Sequence, residues 1–450
     1  MGNRVLVIGG GISGLSAAYD LTRAGADCTI LEKQSRLGGV IETRSSEGCT
    51  LECGPDSFLS AKPAALALIK EVGLEGDVIG SNDHQRTTYI WKRGQLVALP
   101  EGVMMIVPSR VMPMVKSPLL SWATKIRMGL EYFRRPGESR DRSVAEFVVD
   151  HFGQETLDYL AEPLLSGVYG GDPAQLSVGS VLPRFLEMER KYGSLVRGVL
   201  ASRSKSSGGS LFRTLKGGLG TLVDRLAAQA KVCQADVETI ERAGTGFRVR
   251  AGGNWMEADQ VIVACPAWAA ARVVAGVDAR LGELLGAIDY SSSVTLSLIY
   301  RAAEFDGKRA GFGFLVPKKE RRRLAACTFM GTKFSYRVPE DRIVLRCFFG
   351  GINDAAVLEE SDESLVGIAR EELGRMLGLK AAPIAHAISR WPRSMAQYTL
   401  GHSQRVAEIR TRAAAIAGLH LAGNAYEGIG IPDCINTGRV AARAALTSLS

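Results

Sequence analysis

The sequence predicts an α/β fold whose central parallel sheet is assembled from distant parts of the chain. An unbroken apolar run at Val5–Ile8 leads through closely spaced glycines into an apolar helix. Near the other end, residues 418–424 lead through the glycine-rich stretch 428–434 into a second helix that continues through Ala445. Short apolar runs bounded by glycine are typical of buried parallel strands. A third piece, residues 216–266, reads as a turn, a helix, an alternating hairpin and a buried strand.

The first glycine-rich turn has the spacing of a dinucleotide-binding loop. Gly9 permits a tight turn, Gly11 lets a pyrophosphate approach the backbone, and Gly14 lets the helix pack closely on the strand. The helix N-terminus adds unpaired N–H groups and a partial positive charge. Glu32 ends a second strand, Cys28–Leu31, 18 residues beyond Gly14, where a ribose hydroxyl needs an acceptor. The pattern predicts a Rossmann-like nucleotide-binding unit.

The residues that follow Glu32 favour FAD over a nicotinamide cofactor. Gly38-Gly39 offers a second close approach of the backbone, and residues 48–58 read as a short strand and turn rather than another βαβ unit. FAD bound in an extended form needs a platform for its ring at some distance from the first loop. The late loop 428–434 suits this role, since Pro432 fits a first helical turn. We expect that helix N-terminus to face the flavin N1–C2=O edge, with FAD bound non-covalently.

Composition excludes several other classes of protein. Apolar residues make up 46% and charged residues 23% of 450 residues, and eight scattered cysteines form no C-x-x-C pair, which predicts reduced thiols, no disulfide framework and no metal site. The net charge is +8, with a basic run at Lys318–Arg323, but no nucleic-acid-binding motif accompanies it. We assign that run to solvated surface. No secretory segment and no 18-residue apolar stretch is present, so a cytoplasmic protein is expected.

Several longer motifs identify a family resemblance over essentially the whole chain. They are VIGGGISGLSAAY from Val7, ECGPDSF from Glu52, EPLLSGVYGGDPAQLS at 162–177, RWPRSMAQYTLGH at 390–402 and GNAYEGIGIPDCI at 423–435. The first is generic to flavin oxidoreductases, whereas the others, in this order, resemble the oxygen-dependent porphyrinogen oxidases of haem synthesis. The resemblance implies a six-electron oxidation of a porphyrinogen to the porphyrin, with O₂ as acceptor and H₂O₂ released.

Motifs and resemblance together name the expected site residues. No catalytic side chain is assigned, because the flavin is the reactive group and no Ser-His-Asp set or H-E-x-x-H occurs. The substrate is expected beside 164–172, at Gly167, Val168 and Tyr169. The expected cofactor-binding residues are Gly9, Gly10, Gly11, Ile12, Ser13, Gly14, Glu32, Lys33, Gly38, Gly39, Val40, Gly54, Pro55, Asp56, Ser57, Val237, Trp391, Gly423, Ile429, Gly430 and Ile431.

The resemblance also implies three parts and a set of partners. The FAD domain is expected at 1–75, 211–268 and 403–450, a sheet-based substrate domain at 76–100 and 269–402, and a helical domain at 101–210. The helical part mixes Met, Leu and Trp with Arg and Lys, which suits an interfacial surface touching the inner face of the cell membrane. A Met-rich helix pair lining an apolar pocket is the alternative. The partners are a tetrapyrrole and O₂, with hand-off to a ferrochelatase; the oligomeric state is left open.

Two other functions fit the same scaffold. A flavin amine oxidase or carotenoid-type desaturase shares the two-ended FAD architecture, and an amine oxidase would use paired aromatic side chains, for which Trp391, Tyr398 and Tyr426 are available. It would also favour glutamate where this chain has Asn424. A non-catalytic binding protein of the same fold is the second alternative.

The choice of porphyrinogen is the finest prediction. Coproporphyrinogen III carries four propionates and protoporphyrinogen IX two, so the former needs more cationic groups around the pocket. Arg44, Lys92, Arg93 and Lys333 are candidates. The motifs GPDSF, EPLLSGVYGGD and GIGIPDCI resemble the coproporphyrinogen-using members, whereas GNAY resembles the protoporphyrinogen-using ones, so coproporphyrinogen III is favoured. The five histidines form no motif and are expected to be structural.

Overall fold

A five-stranded, wholly parallel sheet forms the centre of the molecule, as the computed structural model describes it over residues 4–136, 140–202, 210–307 and 311–449. The register pairs Val5 with Gln260 on one side, and Arg4 with Asp27 on the other. In spatial order its strands are Val232–Gln234, Asp27–Glu32, Arg4–Ile8, Gln260–Val263 and Leu419–Leu421. The predicted α/β class and the assembly of the sheet from distant segments are confirmed.

The helices that follow the two glycine-rich turns pack against each other. Helix Ile12–Arg23 lies along helix Ile431–Leu449, and a Cβ atom at Gly438 would stand 2.1 Å from the Ser13 carbonyl oxygen. Arg439 pins the contact by pairing with Asp20 at 2.9 Å. Since both helices begin at the same edge of the sheet, the first and last glycine loops become neighbours. Helices Ala64–Glu71 and Gly220–Ala227 complete this layer.

Residues 237–258 form a three-stranded antiparallel sheet rather than the single hairpin that alternation predicts. Its strands are Val237–Ala243, Gly246–Ala251 and Asn254–Ala258. The turn at Gly252-Gly253, with both glycines at positive φ, adds the third strand. Helices Ala267–Val274 and Ala279–Gly286 follow, and the first packs on strand Val237–Ala243.

A seven-stranded sheet forms the second large layer. All its neighbours are antiparallel except Gly313–Leu315 and Thr88–Lys92, which run parallel. In spatial order the strands are Ala385–Ala396, Tyr290–Arg301, Arg342–Gly350, Ala326–Phe329, Gly313–Leu315, Thr88–Lys92 and Gln95–Ala98. Helix Asp362–Leu377 contributes Leu365, Ala369 and Leu373 to the core of this layer.

A helical layer contacts the seven-stranded sheet through helix Glu162–Tyr169 and strand Gly313–Leu315. Ser143 and Glu146 form a capping box at the start of one helix, and a π-helical turn, Leu157–Ala161, leads directly into another. No helix of the described residues is long and apolar enough to cross a membrane. The helices are Val111–Lys116, Trp122–Leu130, Val144–Phe152, Gln154–Thr156, Glu162–Tyr169, Val178–Val181, Pro183–Tyr192 and Leu195–Ala201.

Smaller elements connect these layers. Two small sheets lie in the connections between strands of the large sheets. They are hairpin Thr43–Ser46/Cys49–Glu52 and the three-stranded sheet Phe58–Leu59, Phe212–Leu215, Val78–Gly80. The remaining elements are strands Val103–Met104 and Val107–Pro108, helices Met330–Lys333 and His402–Ala415, and 3₁₀ turns Glu75–Asp77, Asp83–Gln85, Glu131–Phe133, Ala302–Glu304 and Ala355–Glu359.

Candidate functional site

One cavity of about 1810 Å³ extends from the first glycine loop to the helical layer. Its walls come from the parallel sheet, the seven-stranded sheet, helix Glu162–Tyr169 and the C-terminal loop. Sites for drug-sized ligands measure roughly 300–1,000 Å³. The cavity therefore has room for a dinucleotide and a second large molecule at once.

The first glycine loop leaves open space where a pyrophosphate would approach. A Cβ atom at Gly11 would meet no atom within 4 Å, and the helix that Gly11 caps begins without a side-chain cap. Glu32 lines the same end of the cavity, and its Oε2 accepts the Gly10 N–H at 2.6 Å. Open space at Gly11, a helix N-terminus without a side-chain cap and a carboxylate beside them fit the adenosine diphosphate part of FAD.

Arg36 fixes the second close approach of the backbone. Its guanidinium donates to the carbonyl oxygens of Leu37 at 2.9 Å, Gly39 at 2.5 Å and Ile41 at 2.8 Å. Gly38 has φ +97°, and its N–H donates to the Gly10 carbonyl at 2.8 Å. The loop is thus held against the first glycine loop, and both face the cavity.

The loop that holds Gly54–Ser57 is pinned by buried charges. Lys333 Nζ pairs with the Asp56 carboxylate at 2.8 Å, and Arg346, 2% exposed, pairs with Asp56 and donates to the Gly54 carbonyl. These two cations outweigh burial and hold the pKa of Asp56 well below its usual range. Trp391 donates its indole N–H to the Cys53 carbonyl at 2.8 Å. The loop therefore presents a fixed backbone to the cavity.

The C-terminal loop is supported from behind by Tyr398. The Tyr398 hydroxyl donates to the Asn424 carbonyl at 2.7 Å and accepts the Gly428 N–H at 2.8 Å. Asp433, in the first turn of the last helix, pairs with Lys62 at 2.7 Å. Ile429, Gly430 and Ile431 line the cavity in front of this support.

The other end of the cavity is formed by helix Glu162–Tyr169. Gly167 and Val168 lie on its exposed face, and Val168 is 51% exposed. Leu315 and Phe348, from the seven-stranded sheet, line the same region. Gly170, with φ +57°, ends the helix, so 164–169 is helical and only 170–172 is loop.

Most residues predicted from the sequence converge on this cavity, but three do not face it. The missing side chain of Gly10 would point toward Leu37. At Gly14 the helix packs so closely on the first glycine loop that a Cβ atom would stand 1.9 Å from the Gly9 carbonyl oxygen. Tyr169 points away from the cavity toward Tyr398. The predicted residues that line it are Gly9, Gly11, Ile12, Ser13, Glu32, Lys33, Gly38, Gly39, Val40, Gly54, Pro55, Asp56, Ser57, Gly167, Val168, Val237, Trp391, Gly423, Ile429, Gly430 and Ile431.

The cavity is more cationic than the motifs indicate. Twelve Lys and Arg residues line it against seven Asp and Glu residues. Of the cations considered from the sequence, Arg44 and Lys333 line the cavity. Lys92 instead pairs with Glu155 at 3.1 Å, and Arg93 lies in a surface turn. The missed residues include Lys318 and Arg321–Arg323, from the run assigned to surface.

The three aromatic residues considered for an amine cage do not meet in the cavity. Trp391 lines the cavity, but Tyr398 and Tyr426 are buried behind the C-terminal loop and do not reach it. No histidine of the described residues lines the cavity either. His402 stacks on Tyr398 at 4.1 Å, and burial lowers its pKa to about 4, as expected of a structural histidine.

The chain matches one family model along most of its length and resembles named relatives end to end. The model of the flavin-containing amine oxidoreductases matches residues 12–446. Coproporphyrinogen III oxidase of Bacillus subtilis (strain 168) is 32% identical over 99% of this chain and 98% of its own. Protoporphyrinogen oxidase of Bos taurus is 30% identical over 98% of both chains. A crystal structure from Exiguobacterium sp. 255-15, named provisionally as a protoporphyrinogen oxidase, has a TM-score of 0.87, with 30% identity over 100% of this chain and 99% of its own.

Proposed function

This chain belongs to the family of flavin-containing amine oxidoreductases, and we propose that it is an FAD-dependent enzyme that oxidises coproporphyrinogen III to the porphyrin. The observation that carries the proposal is the full-length similarity to relatives named for porphyrinogen oxidation. The size of the cavity supports it, since about 1810 Å³ exceeds what FAD alone requires. O₂ is the acceptor in this proposal, and H₂O₂ is the second product.

The residues at the two ends of the cavity have different tasks. FAD, when bound, takes electron pairs from the substrate and passes them to O₂. The glycine loops and Glu32 would hold the nucleotide, and the pinned loop 54–57 with Trp391 would line the site of its ring. Gly167, Val168, Leu315 and Phe348 would offer an apolar wall to a macrocycle. Six electrons would leave the substrate in three pairs.

Two cations at the cavity support the four-carboxylate substrate. Lys318, 56% exposed, and Arg322, whose ion-pair contact is 3.5 Å to the exposed Glu371, line the cavity, and four propionates would use such cations more fully than two. An amine substrate carries the opposite charge and would be repelled. Of Trp391, Tyr398 and Tyr426, only Trp391 lines the cavity, which likewise disfavours the amine oxidase alternative.

Substrate assays test the proposal directly. We expect fluorescence to rise as porphyrin forms from either porphyrinogen, with kcat/KM at least about a hundredfold higher for coproporphyrinogen III, since two more charge-assisted contacts form. Three H₂O₂ should appear per porphyrin, and none with putrescine or cyclohexylamine. A higher kcat/KM for protoporphyrinogen IX would reverse the substrate assignment. Bound flavin without turnover of either porphyrinogen would favour the alternative of a non-catalytic binding protein.

The three-part division of the chain is part of the same proposal. The FAD domain comprises 1–75, 211–268 and 403–450, the substrate domain 76–100 and 269–402, and the helical domain 101–210. The origin of the strands of the two large sheets supports the first two. A porphyrin released here is the substrate of metal insertion, so hand-off to a ferrochelatase completes the proposed sequence.

We further propose that the helical domain touches the inner face of the cell membrane. Trp122, Ile126, Leu130 and Phe133 recur at helical spacing, and Trp122 is 65% and Phe133 75% exposed. Exposed Lys116, Arg127 and Arg135 accompany them. An apolar stripe beside basic residues suits a surface of anionic lipid. None of residues 101–136 lines the cavity, so the alternative of a Met-rich pocket wall has no support.

Vesicle binding tests this surface. The double variant Trp122→Ser/Phe133→Ser should co-sediment with phosphatidylglycerol-containing vesicles at least about tenfold more weakly than wild type, because two large apolar side chains no longer insert. Trp255→Ser is the matched control, since Trp255 is also exposed but lies on strand Asn254–Ala258. Equal loss in both variants, or none in either, would contradict the assignment.

A further inference from the structure

The basic run Lys318–Arg323 lies at the cavity rather than on free surface. It connects strands Gly313–Leu315 and Ala326–Phe329, neighbours in the seven-stranded sheet. Val316 and Leu324, both fully buried, fasten its two ends, and the Val316 N–H donates to the Ala325 carbonyl at 2.8 Å. The connection is therefore a fixed loop that carries six consecutive charged side chains.

The fold sorts those charges onto two faces. Lys319 and Glu320 turn to the helical layer, where Lys319 pairs with Asp158 at 2.9 Å and Glu320 accepts the Tyr159 hydroxyl at 2.9 Å. Neither lines the cavity, whereas Lys318 and Arg321–Arg323 do. Adjacent residues with the same charge, Lys318 and Lys319, thus stand on opposite sides of one loop.

Arg321 and Glu162 hold the cavity face in place. Glu162 Oε2 accepts the Lys318 N–H at 2.8 Å, and Glu162 Oε1 accepts from Arg321 at 3.2 Å. Arg321 also donates to the Val316 carbonyl at 3.0 Å and is only 18% exposed. Its Nε and Nη2 donors are therefore occupied within the protein, so Arg321 positions the loop.

Lys318 and Arg322 are the cations of this loop with donors to spare. Lys318 Nζ has three N–H groups, and the carboxylate beside it is that of Asp172, at 2.9 Å. Lys318 is 56% exposed, so two donors remain open toward the cavity. Arg322 has only a long contact of 3.5 Å to the exposed Glu371, and Arg323 pairs with Glu360 at 2.9 Å. A guanidinium with five donors and one weak partner suits bidentate binding of a carboxylate.

We propose that Lys318 and Arg322 form a carboxylate receptor at the substrate end of the cavity, which selects a substrate with more propionate groups. The proposal rests on the function proposed above and names the residues that would make it selective. Gly167 and Val168 lie on helix Glu162–Tyr169, which the Glu162 contacts tie to this loop, so a macrocycle on that apolar wall would bring its propionates to Lys318 and Arg322. Of the nearby anions, Glu162 is occupied by Arg321 and the Lys318 N–H, and Asp172 by Asn353, the Ala174 N–H and one donor of Lys318 Nζ.

Charge reversal on the two faces of the loop tests the proposal. Lys318→Glu and Arg322→Glu should each lower kcat/KM for coproporphyrinogen III about ten- to a hundredfold, the range for one charged hydrogen bond, with a smaller loss for protoporphyrinogen IX. Flavin content should equal that of wild type. Lys319→Glu is the matched control and should leave kcat/KM for both porphyrinogens unchanged. Lys318→Gln gives a milder variant should the reversal impair folding.

Binding of the product porphyrins separates this proposal from the function on which it rests. Binding of coproporphyrin III, titrated and followed by fluorescence, should be weaker in the Lys318 and Arg322 variants and unchanged in Lys319→Glu. Equal losses in all three variants, or equal losses for substrates with four and two carboxylates, overturn the receptor. If wild type oxidises neither porphyrinogen, the proposed function is wrong, and the binding isotherms still decide whether the loop recognises carboxylates.

Discussion

Gly11→Val is expected to abolish flavin binding while the protein itself remains folded. The new side chain would enter open space in the cavity, because no protein atom lies within 4 Å of its Cβ position, and Gly11 has an extended backbone (φ −70°) that valine adopts readily. Apoprotein stability should fall by no more than about 1 kcal/mol, the usual cost of a poorer helix cap. Affinity for FAD should fall at least about a hundredfold, since the pyrophosphate loses its approach to the backbone.

Gly14→Val is the matched control, because it belongs to the same motif but faces the protein. Its Cβ would stand 1.9 Å from the Gly9 carbonyl oxygen, so the helix must move away from the strand. We expect it to cost more than about 3 kcal/mol, the upper end for overpacked positions. Denaturation of the two apoproteins, with flavin titration, distinguishes these effects. A Gly11→Val protein with full flavin content would refute the assignment of the first glycine loop to pyrophosphate binding.

Arg337→Met is expected to give the largest loss of stability. Arg337 and Glu52 are both fully buried and pair at 2.9 Å, and Arg337 also donates to the Thr214 hydroxyl at 2.6 Å. Removing the cation leaves a buried carboxylate whose pKa burial already raises. Breaking a buried pair in this way costs about 3–5 kcal/mol. Because Glu52 precedes the Gly54–Ser57 loop, the variant should also lose flavin.

A second substitution shows whether the unpaired carboxylate is the cause. Adding Glu52→Gln to Arg337→Met should recover much of the lost stability, since the amide can still accept the Leu219 N–H that Glu52 now accepts at 2.7 Å. Arg301→Met tests an exposed pair at the end of strand Tyr290–Arg301, Arg301 with Glu304 at 3.0 Å, and should change stability by at most about 1 kcal/mol. Thermal melts of the four proteins decide between these expectations.

The basic run and Tyr169 lie elsewhere than the sequence predicts. Six consecutive charges at Lys318–Arg323 read as solvated surface, because charge runs usually are, yet the loop divides them between the cavity and the helical layer. Tyr169 stands next to two residues that line the cavity, but a helical rotation of 100° per residue turns it toward Tyr398. Arg346 was also missed, although an arginine inside the apolar strand RIVLRCFFG is an unusual residue there.

Features that depend on neighbours along the chain were predictable from the sequence alone. Glycine spacing, apolar runs and the acid after the second strand sufficed to predict the two glycine turns and the helices that follow them. Which side chains meet at the cavity emerged from the folded structure. Strands from residues 4, 27, 232, 260 and 419 onward pair in one sheet, so charges hundreds of residues apart converge on one cavity. Such convergence depends on sheet order and side-chain direction, which local patterns do not encode.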